Sequence, residues 1–301
     1  MTETITIEKS AIADAREADD QRDDLTHEVA PDVAYKRLGI VNIAFFGERC
    51  SGDGNWVLID AGLPGTAGAI KRAAEARFGE TGKPAAIIMT HAHADHAGAL
   101  EHLVKDWKVP IYAFDLELPY LNGTASYPPP DTHVGGGMMP ALSVLFPRGP
   151  FNVAKWLQPL PANGELPAMP GWRWIHTPGH TPGHISLWRE SDRTLIVGDA
   201  FVTTRQESVY ATMTQKPEMH GPPMYYTQNF ADAEASVQKL ASLEPELVIT
   251  GHGKAMRGPA MRKALFELAR NFKAAAVPEH GQYVEHPTSV LTGTAYAPAR
   301  H

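Results

Sequence analysis

Six consecutive residues constrain this chain more than any other part of its sequence. Residues 91–96 read His-Ala-His-Ala-Asp-His and directly follow a short apolar run that is typical of a buried strand. Zinc binds imidazole nitrogen and carboxylate oxygen readily, and this spacing is a specific ligand pattern. His91 and His93 alternate along extended chain, so both can bind one ion, whereas Asp95 and His96 lie where the chain turns towards a helix and can face a second ion. A polar surface turn is the alternative interpretation.

Strands and helices alternate along the rest of the chain, with several hairpin-like strand pairs among them. This mixture predicts two sheets with outer helices rather than a doubly wound sheet. Helices are predicted at 66–77, from about 95, at 231–243 and at 256–273. Strands are predicted at 41–46, 55–60, 85–89, 109–114, 172–175, 184–189, 194–197 and 247–250.

The domain organisation follows from where large apolar residues are sparse. Residues 1–30 carry many charges and few large apolar groups, which predicts a flexible N-terminal arm without a function of its own. Residues 31–301 then form the main domain. Within it, residues 116–170 are rich in proline and glycine, and we interpret them as an insertion that acts as a lid or a binding loop.

Charge and cysteine content exclude several classes of protein. The formal net charge is -7, which disfavours a nucleic-acid binder because that affinity depends on neutralising phosphates. The single cysteine, Cys50, forms no internal disulfide, so the fold needs no oxidising compartment. No stretch is apolar for long enough to span a membrane, and the N-terminus lacks the pattern of a signal peptide. We therefore expect a cytoplasmic protein that binds a small-molecule substrate and neither nucleic acid nor membrane.

Five motifs in a fixed order make the chain resemble the metallo-β-lactamase superfamily from about residue 41 to residue 273. They are Leu-Ile-Asp-Ala-Gly at 58–62, the run at 91–96, Thr-Pro-Gly-His-Thr at 177–181, Gly-Asp at 198–199 and Gly-His-Gly at 251–253. The resemblance implies an α+β fold, an αββα sandwich with metals at one edge between two mixed sheets. It is greatest to the glyoxalase II and lactonase-like branches.

The resemblance also implies a role for each matching residue. Asp60 resembles a carboxylate that orients ligands without binding metal, and His184 is expected to make a similar supporting hydrogen bond. The cofactor implied is a pair of zinc ions per chain, with iron or manganese as alternatives. The implied ligands are His91, His93 and His180 for the first ion, Asp95, His96 and His252 for the second, and Asp199 for both.

The implied chemistry is hydrolysis, in which a metal-bridging hydroxide attacks a carbonyl and Asp95 orients it and passes a proton to the leaving group. Residues 116–151 and 201–230 are rich in Met, Phe and Tyr, which favours an apolar cavity and an apolar ester or lactone as substrate. Ordinary core packing, or a contact in a homodimer, is the alternative for these residues. Tyr210, Tyr225 and Tyr226 are equal candidates for a group that assists an oxyanion.

Several activities of the superfamily remain open at this point. A glyoxalase II-like thioester hydrolase, a β-lactamase and a phosphotriesterase would use the same metal site. A persulfide dioxygenase with one iron, or a scaffold without catalysis, would lack some of the ligands. The presence of Asp199 and of a complete second set of ligands favours a two-metal hydrolase.

Overall fold

The structure, a computed structural model, describes residues 4–7, 26–79 and 81–299, in which strands and helices alternate. The helices are α1 (Ala67–Phe78), α2 (Ala94–Ala97), α3 (Leu100–Trp107), α4 (Leu118–Leu121), α5 (Met138–Leu142), α6 (Val209–Thr214), α7 (Phe230–Ser242), α8 (Gly258–Arg270), α9 (Phe272–Ala276) and α10 (Gln282–Glu285). The strands are β1 (Ile5–Thr6), β2 (His27–Ala30), β3 (Val33–Leu38), β4 (Val41–Phe46), β5 (Val57–Ile59), β6 (Ala86–Ile88), β7 (Ile111–Ala113), β8 (Ala125–Ser126), β9 (Leu157–Pro159), β10 (Trp172–His176), β11 (Ile185–Arg189), β12 (Thr194–Gly198), β13 (Glu218–Met219), β14 (Leu247–Thr250), β15 (Met256–Arg257) and β16 (Ala297–Pro298).

Two mixed sheets form the centre of the molecule. The larger sheet has the strand order β2-β3-β4-β5-β6-β7-β9, antiparallel from β2 to β5 and parallel from β5 to β9. The smaller sheet has the order β10-β11-β12-β14-β15, in which only β12 and β14 run parallel. Parallel neighbours need a crossover connection, and helices such as α1, between β5 and β6, supply it.

Side chains alternate in direction along the strands and so divide the core into three layers. In β5, Leu58 packs towards the outer helices, while Val57 and Ile59 face the other sheet. In β12, Ile196 faces the space between the sheets, and its neighbours on both sides face α7 and α8. Because both faces of the sheets are covered at these positions, the central residues Val57–Ile59 and 195–197 are apolar and buried. The αββα sandwich implied by the resemblance is therefore confirmed.

The outer helices bury one apolar face each. In α1, Ile70, Ala73, Ala74 and Phe78 recur at helical spacing and are buried against the larger sheet. The side chain of Asn229 caps α7 by accepting two backbone N–H groups of its first turn. Within the described ranges, no helix combines the length and apolar character that crossing a bilayer requires.

Two short parts of residues 1–30, for which we expected a flexible arm, are strands in the structure. Residues 8–25 and 1–3 lie outside the described residues, but β1 pairs with β13 and β2 pairs with β3 at the edge of the larger sheet. The buried Arg77 guanidinium also lies 2.9 Å from the Glu28 carboxylate. The strand pairing was missed because this edge is formed by contacts between residues far apart in sequence.

The segment 116–170 is not one irregular insertion. Its last part contains β9, which extends the larger sheet beside β7, and its first part contains β8, which pairs with β16 near the C-terminus. The intervening stretch, with α5 and the following turn, covers the edge at which the metal-binding motifs meet. That stretch supplies cavity-lining residues, and its role as a lid or binding loop stays a prediction.

Candidate metal centre

The predicted ligands lie in loops at one edge of the sandwich. Residues 91–96 follow β6, Asp199 follows β12, and His252 follows β14, while His180 lies in the turn between β10 and β11. A rigid strand before each loop fixes where the side chain points, which favours a site assembled from distant parts of a sequence.

The structure brings all seven predicted ligands together. Every one of them is buried except Asp95, which is partly buried. In each of three groups, the possible ligand atoms lie within 4.8 Å of one another. The groups are His91, His93 and His180; His91, His96 and Asp199; and Asp95, His96 and His252.

Close contacts between ring nitrogens and carboxylates show how tightly the groups converge. Nδ1 of His93 lies 2.9 Å from Nε2 of His180, and Nε2 of His180 lies 3.5 Å from the Asp199 carboxylate. Nε2 of His252 lies 3.1 Å from Asp199 and 3.3 Å from Asp95. Asp199 therefore contacts ligands of both predicted ions, as a bridging carboxylate would.

Buried polar atoms at the centre of the cluster fit a bound cation. Nε2 of His91, Nε2 of His96 and Oδ1 of Asp199 are buried without a hydrogen-bond partner in the described part of the chain. Buried polar atoms are normally paired, so three such atoms in one place indicate a missing positive partner. A Cβ at Gly251 would lie 2.1 Å from Oδ1 of Asp199, so this position has room only for glycine. The residues present therefore fit a metal centre.

Asp60 orients one of the ligands from behind. One of its carboxylate oxygens lies 2.8 Å from Nδ1 of His96, which directs Nε2 of that ring towards the cluster. The backbone N–H and the hydroxyl of Thr90 also donate to Asp60, each at 2.8 Å. Asp60 has a backbone φ of 61°, a left-handed conformation that is unusual outside glycine. Asp60 thus occupies the orienting position that the resemblance implied.

His184 and a backbone carbonyl support two further ligands. Nε2 of His184 accepts the backbone N–H of Asp199 at 2.8 Å, and Nδ1 lies 2.9 Å from the Thr177 hydroxyl. Because Nε2 accepts, the ring proton sits on Nδ1 and is donated to Thr177. Nδ1 of His252 donates to the carbonyl of Ile40 at 2.7 Å, so Nε2 is left to face the cluster.

The electrostatics of the cluster also favour metal binding. Burial lowers the pKa of His91 and His180 well below the ordinary value and lowers that of His93 to about 4. These rings are therefore neutral at physiological pH, the form that binds metal. Burial also disfavours a charged His252, but the Asp199 carboxylate outweighs it and raises the pKa to about 10. The carboxylates thus attract positive charge to the second group of ligands.

Comparison with known proteins agrees with this geometry. The family model of the metallo-β-lactamase superfamily matches residues 37–252, which include four of the five motifs in full, the first two residues of the fifth, and all seven clustered residues. The chain belongs to the metallo-β-lactamase superfamily. The resemblance stated from the motifs is therefore confirmed at the level of the family.

Two relatives and one solved structure illustrate this membership. The probable metallo-hydrolase YflN of Bacillus subtilis (strain 168) is 44% identical over 247 residues, which are 82% of this chain and 93% of YflN. The probable metallo-hydrolase YybB of the same organism is 30% identical over 197 residues, which are 65% of this chain and 75% of YybB. A β-lactamase domain protein from Burkholderia ambifaria has the same fold, with a TM-score of 0.58, 19% identity, and coverage of 83% of this chain and 73% of that one.

Glu117 is a buried carboxylate that lies outside the superfamily motifs and that the sequence did not single out. It accepts the backbone N–H of Ala92 at 3.0 Å and the hydroxyl of Tyr127 on one oxygen. Its other oxygen accepts the hydroxyl of Thr181 at 2.7 Å and the backbone N–H of Gly183 at 3.0 Å. Glu117 therefore ties the loop of His91 and His93 to the loop of His180.

A cavity lies beside the candidate metal centre, next to His93 and Asp95. Its walls are mainly apolar and aromatic, and the segment with α5 contributes a large part of them. The lining includes Ile40, Met139, Phe146, Pro147, Tyr225 and Tyr226. The cavity lies where the aromatic and Met-rich segments predicted one, and its free volume in this structure is about 10 Å³; that it binds substrate stays a prediction.

The three candidate tyrosines differ in where they lie. Tyr210 is 73% exposed on α6 and does not line the cavity. The prediction that Tyr210 is a pocket residue is therefore wrong. Tyr226 lines the cavity but donates its hydroxyl to the carbonyl of Ser143 at 2.9 Å. Tyr225 lines the cavity, and its hydroxyl has no hydrogen-bond partner among the described residues. Helix faces could not be assigned reliably over six residues, which explains the error at Tyr210.

Proposed function

We propose that this protein is a dinuclear zinc hydrolase whose substrates are apolar esters or lactones. The observation that carries the proposal is the complete set of seven converging ligands directly beside an apolar cavity. Membership of a superfamily of metal-dependent hydrolases supports the reaction type, and the cavity supports the substrate class.

In this proposal, His91, His93 and His180 hold one ion, and Asp95, His96 and His252 hold the other, with Asp199 between them. Imidazole and carboxylate ligands suit zinc, although iron or manganese can bind the same set. When bound, two such ions would lower the pKa of water towards neutrality and polarise the electrophile.

The chain's own residues supply orientation and proton transfer. Burial disfavours an ionised Asp95, but the neighbouring His96 and His252 outweigh it and lower the pKa of its carboxyl. Asp95 is therefore an acceptor at neutral pH and can orient the attacking water at the cavity floor. It can then pass the proton to the leaving group.

Tyr225 is our candidate for stabilising charge on the substrate. Burial, with the nearby Glu207 and Asp95 carboxylates, raises the pKa of Tyr225 well above the ordinary value. The phenol therefore keeps its proton at neutral pH, and its hydroxyl is not occupied by another described residue. A hydrogen bond from such a donor to the developing oxyanion stabilises the transition state.

The cavity favours apolar substrates over the other electrophiles that such a site accepts. Its apolar walls bind acyl chains through buried area, at roughly 25 cal/mol per Å². Met139 is flexible enough to accommodate several shapes, which favours breadth over selectivity. A glutathione conjugate would require grouped cations, and the lining includes a single one.

A panel of substrates tests the proposal directly. The purified full chain, loaded with zinc, is assayed with lactones, aryl esters, a glutathione thioester, a chromogenic cephalosporin and a phosphotriester, and kcat/KM is compared. We expect an ester or lactone to lead. A lead of about tenfold by the thioester or the cephalosporin would contradict the substrate class, since that corresponds to roughly 1.4 kcal/mol of transition-state preference.

Two variants separate metal-dependent turnover from contamination. His180→Ala removes a clustered ligand and should abolish the leading activity, whereas His102→Ala removes an exposed histidine of α3 and should leave it unchanged. Equal activity in both variants would mean that the turnover does not arise at this site.

We also propose that the protein works in the cytoplasm. The fold contains one cysteine, the exposed Cys50, and so depends on no disulfide. Fractionation of the source cells, with activity and antibody signal followed together, should recover the protein in the cytosolic fraction. Recovery in a secreted fraction would contradict this location.

A further inference from the structure

A single cation lines the otherwise apolar cavity. Of the described residues in its walls, Arg148 alone carries a positive side chain, and Asp95 alone carries a carboxylate. Arg148 is half-buried and follows the apolar pair Phe146 and Pro147, which also face the cavity. Partial burial weakens the hydration of a guanidinium, so a charge in such surroundings is expected to have a compensating partner.

Arg148 is held in place by Tyr127. The backbone N–H of Tyr127 donates to the carbonyl of Arg148 at 3.0 Å, and Nη1 of Arg148 donates to the carbonyl of Tyr127 at 2.9 Å. Tyr127 is itself fixed, since its hydroxyl bonds to Glu117 and its ring lies 4.3 Å from that of His93. The guanidinium is therefore positioned relative to a metal ligand rather than left mobile at the surface.

The guanidinium has no acidic partner among the residues that the structure describes. No carboxylate of the described residues lies within ion-pair distance of the Arg148 side chain, and the one hydrogen bond that its guanidinium donates to them goes to the Tyr127 carbonyl. Arginine carries five N–H donors, so most of them remain for another acceptor. A planar fork of this kind suits a carboxylate, to which it can donate two parallel hydrogen bonds.

We propose that Arg148 binds a carboxylate on the substrate, so that the substrate is an apolar ester or lactone with an anionic end. This inference rests on the proposed function, because it assigns a second group in the wall of the same cavity. In this proposal, the apolar residues of the cavity contact the part of the substrate between its carboxylate and its ester group. A lone arginine suits a singly charged carboxylate better than a phosphate dianion, which usually takes more than one cation.

Matched substrates distinguish this specificity from general apolar binding. Mono-4-nitrophenyl esters of the linear dicarboxylic acids from succinate to suberate are compared with their neutral methyl esters, on the zinc-loaded full chain. We expect the free acid to be preferred at one chain length. Arg148→Met, which keeps an apolar stem, should then lower kcat/KM for that acid by about tenfold or more, mainly through KM.

The same variant should leave the neutral esters within about twofold of the unmodified protein. Arg148→Lys should retain part of the preference, because it keeps the charge and loses the fork. Arg270→Met, at an exposed arginine of α8, is the matched control and should change neither substrate. An equal loss on the acid and the neutral ester in Arg148→Met would overturn the proposal, because it would indicate a structural role.

A binding measurement separates this proposal from the hydrolase assignment. Titration calorimetry on the zinc-loaded protein compares the binding of adipate, which has two carboxylates, with that of hexanoate, which has one on a chain of the same length. Tighter binding of adipate that is lost in Arg148→Met supports the inference even if no ester is hydrolysed, in which case only the proposed reaction fails. Equal binding of the two acids, or a preference that survives in Arg148→Met, overturns it.

Discussion

Nδ1 of His96 lies 2.8 Å from the carboxylate of Asp60, and this contact turns Nε2 of the ring towards Asp199, 3.5 Å away. Asp60 is also bonded to Thr90, so the imidazole is held against a residue that is itself fixed. The Asp60 carboxylate orients the His96 ring and raises its basicity, so Asp60 strengthens metal binding without contacting the metal.

Asp60→Asn should therefore weaken metal binding without removing a ligand. An amide offers one acceptor oxygen in place of two, so either His96 or Thr90 loses its bond. We expect the affinity for the ions to fall by about 10- to 100-fold, measured by competition with a chelator. Asp115→Asn, at an exposed site, is the control. Unchanged affinity in Asp60→Asn would show that the orientation of His96 does not depend on this contact.

Glu117→Gln should loosen the two loops that carry the first group of ligands. Four donors face the carboxylate, and an amide would set its own NH₂ against at least one of them. An unmade buried hydrogen bond costs about 1–3 kcal/mol. We expect the free energy of unfolding to fall by that amount in urea titration, and metal occupancy to fall with it.

The control for this variant is Glu190→Gln, an exposed glutamate after β11, which should change neither quantity. If Glu117→Gln unfolds at the same urea concentration as the unmodified protein and keeps its metal, the connection between the loops has no energetic importance.

The adjacent tyrosines should respond differently to loss of the hydroxyl. Tyr225→Phe removes the hydroxyl that we propose as the oxyanion donor from a residue that lines the cavity, so kcat should fall on the order of 100-fold, with KM less affected. Tyr226→Phe removes the bond to the Ser143 carbonyl, so it should mainly raise KM by loosening the segment over the cavity. Steady-state kinetics on the leading substrate checks both. If Tyr226→Phe lowered kcat and Tyr225→Phe only raised KM, the roles proposed for the two tyrosines would be contradicted.

The local parts of the fold were predictable from the sequence. The strands expected at 41–46 and 247–250 coincide with β4 and β14, because apolar runs bounded by turn residues have a strong local signal. The clustered ligands were found through motifs, each of which is short and follows a strand. The fold class followed from the order of those motifs.

The remaining features depend on contacts that no local pattern records. The four partners of Glu117 come from three segments far apart in sequence, so nothing near residue 117 distinguishes it from a surface acid. The strand β2 is short and polar, and it becomes a strand by pairing with β3. The proposed role of Arg148 likewise depends on its hydrogen bond to Tyr127 and on its position in the cavity wall, which only the folded chain brings together.

Metal content of the purified protein and two variants tests the central claim most directly. Elemental analysis should give about two metal ions per chain, mainly zinc, for the unmodified protein. His252→Ala should keep about one, whereas Asp199→Ala should lose metal from both positions, because Asp199 contacts ligands of both ions. One iron and no zinc in the unmodified protein, or two ions retained in Asp199→Ala, would contradict the dinuclear centre.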